Sequence, residues 1–206
     1  MMNIFDIQKS KQDRDFVVQN GKLELDVFID IVETYKDIPY VGSILKLGKV
    51  AVNYMEWRYT TKLSKFLKSS NELEEGIVTE YISSLTKKDY NRIANFLKHL
   101  LYICEEDEKA IVMGLIYKAR LLNKIDDNMM LRLCSIVNNS FLFDLKKLPL
   151  YLKKTSQYSL EAMSFINLGL IDNYVGGFWL NDASYELNEV GKILYEILNS
   201  EKWFID

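Results

Sequence analysis

The stretch at 41–67 constrains this chain more than any other. It follows Pro39, holds no proline, and keeps an apolar face for about seven turns. Val41, Leu45, Gly48, Val52, Met55, Tyr59, Leu63 and Phe66 step by three or four residues, the period of one helix face. In its first half Ile44, Leu47, Val50, Ala51 and Tyr54 widen that face to most of the circumference. The expectation is a long central helix, buried at one end and half-exposed at the other. Only two prolines and nine glycines occur in 206 residues. A sandwich or barrel needs turn residues far more often, so the remaining elements should be helices as well.

Before that stretch, residues 1–22 are polar and end in Gln19-Asn20-Gly21, which reads as a loose N-terminal arm. A first helix is expected at 24–35, with Leu25, Phe28, Ile29 and Val32 on one face. After the central helix, Asn71 is placed to cap a helix to residue 84, with Glu72, Glu74 and Glu75 in the positive first turn. Thr86 opens another to about 104, and the acids Glu105 to Glu108 open the next, to about 122. Asp126 caps a sixth, which Asn138-Asn139-Ser140 should break before a short turn at 141–147. Short connections between these segments predict a compact helical bundle over 23–148.

The texture changes after Pro149. Ser159 caps a helix containing Leu160, Met163, Phe165, Ile166 and Leu168, and Gly169 stands where a left-handed residue would end it. Short extended runs on either side of Gly176-Gly177, ending in Tyr174-Val175 and starting with Phe178-Trp179-Leu180, predict a β-hairpin. Asn188 caps a closing helix at 189–198. The chain is therefore expected to be mainly α, with a small C-terminal α+β module at 149–206.

Leu168-Gly169-Leu170-Ile171, a hairpin, and then Tyr185-Glu186-Leu187-Asn188-Glu189-Val190-Gly191-Lys192 resemble the second half of a bacterial winged-helix domain. Asn188 stands where that pattern usually has threonine, and either can cap. The first two helices of a standard winged helix have no obvious counterpart at 148–158. More broadly, the chain resembles helical proteins of bacteria and their mobile elements, including abortive-infection-associated ones. The run Ile38-Pro39-Tyr40-Val41-Gly42-Ser43-Ile44, followed by a C-terminal Gly-Leu-Ile module, carries that resemblance. It implies a cytoplasmic or membrane-peripheral role in phage defence or mobile-element biology, and no active site comes with it.

Tests for chemistry return little. His99 is the only histidine, and it falls among the leucines of the helix opened by Thr86. Cys104 and Cys134 are far apart and read as small buried hydrophobes in a reducing compartment. Zinc-ligand spacings are absent. The run Glu105 to Glu108 suits a helix N-terminus better than a metal, because consecutive helical carboxylates point around the axis. Asp126-Asp127-Asn128 lacks the glycine and later glutamate of a calcium loop. No phosphate-binding or dinucleotide glycine pattern occurs. The reading is therefore a non-enzyme with no cofactor and no metal.

Two surfaces are candidates for contact. Arg58, Lys62 and Lys65 share one helical face beside Trp57 and Tyr59, and could grip phosphates or acidic headgroups. The alternative is an ordinary solvated outer face. Phe178 and Trp179 beside the Gly-Gly turn could meet a partner or fold back on their module. Charge is unevenly spread. Seven basic residues face two acids over 36–68, whereas four face eight from residue 150 onward. The function expected is a regulatory protein that binds another protein or a second copy of itself. A winged-helix DNA-binding regulator is one alternative, although nucleic acid is not the expected partner, because the helix at 159–168 carries Glu161 and no lysine or arginine. An effector that meets a membrane through 38–52 is the other.

Overall fold

A computed structural model of the chain describes residues 54–70, 77–156, 159–175 and 183–204. Among them are eight α-helices, one 3-10 turn and a two-stranded sheet, so the fold is mainly helical, as the scarcity of turn residues predicts. Packing divides the chain into two units, Met1–Ser64 and Lys65–Asp206. Of the first unit only the opening of helix α1 (Tyr54–Ser70) is described. There Lys62 and Leu63 are buried, and burial pushes the Tyr59 hydroxyl up to about 12. The arm at 1–22, the helix at 24–35, the first half of the long helix and Asn71 lie outside the described residues. So does Val52, whose burial the long helix would require.

The second unit continues α1 through Phe66 and Leu67, both buried. It then runs through α2 (Ile77–Ser84), α3 (Lys87–Ile103), α4 (Asp107–Leu121), α5 (Asp127–Asn139), the short α6 (Leu142–Leu145) and a 3-10 turn at Leu148–Tyr151. The C-terminal part is α7 (Leu160–Asn167), β1 (Ile171–Val175), β2 (Ala183–Leu187) and α8 (Glu189–Ser200).

The helix starts are set by local chemistry. Thr86, Asp126, Ser159 and Asn188 each hold extended backbone, and each accepts a backbone N–H three residues on at 2.7–3.1 Å. Each cap satisfies a donor that the first helical turn would otherwise leave open. The run Asn138-Asn139-Ser140 ends α5 as expected: the helix stops at Asn139, whose amide donates to the Ser135 carbonyl at 2.9 Å, and Ser140 takes the cap position.

Within this unit the central element is α4. Ala110, Val112, Met113 and Ile116 are fully buried, and Leu115, Ala119 and Leu121 nearly so. Apolar residues circle the helix rather than forming one stripe, which is the signature of a helix enclosed on all sides. It packs against α2, α5 and α8. Its two buried lysines are neutralised locally. Lys118 Nζ lies 3.0 Å from Glu201, and Lys109 Nζ is 3.3 Å from Glu106 and donates to the Asn138 carbonyl at 3.2 Å. Removing an ammonium from water is costly unless a carboxylate or carbonyl replaces the lost hydration.

β1 pairs antiparallel with β2 in the register Ile171↔Leu187 to Val175↔Ala183. The partner of β1 is thus the run that includes Tyr185-Glu186-Leu187, and Phe178-Trp179-Leu180 lies outside the described residues. Tyr185 and Leu187 are buried, and alternation across a strand puts both on one face. Thr155 adds an isolated bridge to Tyr185 on the outer edge of β2. Gly169, at φ +71°, makes the left-handed turn between α7 and β1. Gly191 meets a different need. A Cβ there would stand against the carbonyl oxygen of Leu170, well inside contact distance, so only glycine lets α8 approach the start of the sheet.

Candidate functional site

The structure treats the basic face of α1 residue by residue. Arg58 is half-buried, and Lys62 is only 3% exposed. Lys65 ion-pairs with Asp107 at 2.8 Å. A solvated row of free cations is therefore not what these positions form. Phe178 and Trp179, and the Gly176-Gly177 pair beside them, lie outside the described residues.

Other titratable groups serve the scaffold. His99 is exposed on α3. Cys104 and Cys134 are buried free thiols, and burial raises the Cys134 thiol far above its ordinary value. Asp107 and Glu106, from the acidic run, are occupied by Lys65 and Lys109. Among the described residues no three histidine, cysteine, aspartate or glutamate side chains converge on a metal position. Among the described residues a polar network joins α2, α4 and α5. The Asp127 carboxylate is 2.5 Å from Arg120 Nε and accepts the Tyr81 hydroxyl at 2.8 Å, while the Arg120 guanidinium lies 4.5 Å above the Tyr81 ring. Burial raises Tyr81, and its bond to Asp127 raises it further. Tyr81 therefore keeps its proton, and Asp127 spends its lone pairs on neighbours. The arrangement cross-links three helices.

The unexpected feature is apolar. Phe141 and Phe143, at the start of α6, are 62% and 61% exposed, and their rings lie 6.4 Å apart. Leu160, the first residue of α7, is 82% exposed, and Met163 one turn later is also turned outward. Lys147 joins the two groups. Its ammonium sits 4.7 Å over the Phe143 ring and ion-pairs with Glu161 beside Leu160. That bond is the largest cause of a Glu161 carboxyl held down at about 2. Asp144 on the same rim is shifted the other way, by burial first and then by the Glu161 charge, against the opposing pull of Lys147 and Ser164.

The N-terminus of α7 is firmly placed. Ser159 caps it and shares a hydrogen bond of 2.7 Å with the Tyr151 hydroxyl. One turn further on, Phe165 is fully buried, edge-on to Tyr151 at 5.6 Å. The helix thus anchors one aromatic inward while presenting leucine and methionine outward. Buried apolar groups need no partner, whereas exposed ones forgo about 25 cal/mol per Å² until something covers them.

Leu160 and Met163 stand among the helix's apolar residues, and composition alone does not separate their directions from that of Phe165. Phe141 and Phe143 sit in a segment too short for periodicity to assign a face. Spacing alone carried no usable signal for this surface. Among the described residues no helix is long and apolar enough to cross a membrane. No protein-family model, no curated protein and no solved structure matches this chain.

Proposed function

We propose that this chain is a non-catalytic interaction protein, in which a winged-helix-like C-terminal module binds another protein through the surface around α6 and α7. The observation that carries this reading is the outward setting of Phe141, Phe143 and Leu160 around the Lys147–Glu161 pair. In a winged helix the helix before the hairpin is the one offered to a ligand. Here that helix is α7. Its most exposed side chain is a leucine, its charged side chain is Glu161, and it holds no lysine or arginine. DNA phosphates require the opposite surface. Aromatic and aliphatic groups at the centre of a contact, rimmed by a charge pair, suit a protein partner. The cellular setting we infer is that of the mobile-element and abortive-infection proteins the sequence resembles.

The test places a photo-crosslinking benzoylphenylalanine at position 143 of the full chain in its native cells. The expected result is a discrete protein adduct that Leu160→Asp abolishes while the melting temperature is unchanged. A salt-sensitive, submicromolar affinity for duplex DNA, with no protein adduct, would overturn the proposal.

A further inference from the structure

A second surface lies on a different part of the same unit. Arg132, Ser135 and Asn139 fall at i, i+3 and i+7 on α5 and line an open groove of about 460 Å³. Phe96 of α3 and Leu168 at the end of α7 supply apolar wall, and Asn167 adds an amide.

Arg132 is the only charged residue of this lining. Its guanidinium lies beside the α7–β1 turn, with Nη2 3.7 Å from where a Cβ on Gly169 would stand. Among the described residues it has neither an ion pair nor a hydrogen bond. A free guanidinium presents a planar fork of donors that matches a carboxylate. One positive charge balances one carboxylate, whereas a phosphate dianion would leave the groove net negative. The Asn139 amide is held by its bond to the Ser135 carbonyl, and its Oδ1 is left as an acceptor for an N–H. Seven residues of helix separate Arg132 from Asn139, about 10 Å. That is the length of about three residues of extended chain.

We propose that this groove binds the C-terminal three residues of a protein partner, extended along α5. The terminal carboxylate sits on Arg132. An apolar last side chain packs on Phe96 and Leu168, and an upstream peptide N–H donates to Asn139.

The experiment titrates isotope-labelled full-length chain with acetyl-Gly-Ser-Leu as the free acid, with its C-terminal amide, and with N-acetylleucine, following backbone amide resonances. The free acid should give saturable shifts at Arg132 and Asn139. The amide, N-acetylleucine and the Arg132→Gln variant should each bind about tenfold more weakly or worse, with the variant's melting temperature unchanged. Equal binding of acid and amide, or no saturable shift with the acid in the millimolar range, would overturn the proposal. Equal binding of N-acetylleucine would assign the groove to small carboxylates and overturn its assignment to peptides.

Discussion

Helix α4 and helix α7 are both apolar, and they use that property in opposite ways. Around α4, residues on every side are enclosed, and even the lysines at 109 and 118 are buried with partners. On α7 the first turn offers Leu160 to solvent and the second sinks Phe165 completely. Hydrophobic content is therefore a poor guide to role in this chain. Direction is the informative quantity, and direction is set by the neighbours a helix finds. α4 is enclosed, so its apolar residues serve the core. On α7, Ala162 and Phe165 serve the core, whereas Leu160 and Met163 remain turned to solvent.

The sharpest way to break this contrast is to truncate both ends of α7. Phe165→Ala should lower stability by about 3–5 kcal/mol, because it removes a fully enclosed ring and leaves a cavity. Leu160→Ala should change it by less than about 0.5 kcal/mol. Equal losses in chemical denaturation would mean that the first turn is as structural as the second, and the contrast would fail. Gly191→Ala should have the next largest effect, about 1–3 kcal/mol, since the added methyl must displace the Leu170 carbonyl or α8 itself. A variant with an unchanged midpoint would show that α8 has slack against the sheet.

The smallest effect sharpens the rim of the exposed surface. The Glu161 carboxyl is lowered from 4.5 to about 2, with its bond to Lys147 the largest cause and hydrogen bonds from backbone and Ser159 adding to it. A lowered carboxyl contributes stability that is fully present above pH 4.5 and is lost as pH falls from 4.5 toward 2. Glu161→Gln should flatten the pH dependence of the melting temperature in that window and lower the melting temperature slightly at neutral pH, where the contribution is fully present, so that the two proteins converge in acid. An identical acid limb in both proteins would show that the Lys147–Glu161 pair does not hold the two apolar groups together.

What was legible in the sequence was chemistry that acts over three or four residues. Thr86, Asp126, Ser159 and Asn188 cap where expected, because a cap depends only on its own helix start. Gly169 has its positive φ for the same reason. The partner of β1 was not legible. Pairing is decided by which face each strand buries, and burial of Tyr185 and Leu187 makes Ala183–Leu187 the strand. The centrality of α4 was not legible either, because a periodic apolar stripe marks a helix buried on one side, whereas an enclosed helix has none. Arg132 was not legible for a similar reason. A single arginine on a helix carries no pattern, and only the groove beside Phe96 and Leu168 makes it distinctive.

The Lys118–Glu201 pair has a consequence for how the protein comes into being. The two residues are 83 positions apart. During synthesis at roughly 5–20 residues per second, Lys118 is made about 4 to 17 s before its counter-ion exists. Until then the helix at the heart of this unit lacks the carboxylate that lies 3.0 Å from its buried ammonium. The unit is thus timed to settle late, when α8 emerges and brings the carboxylate, and any growing chain in which it has not yet done so is one in which α4 is still in contact with water.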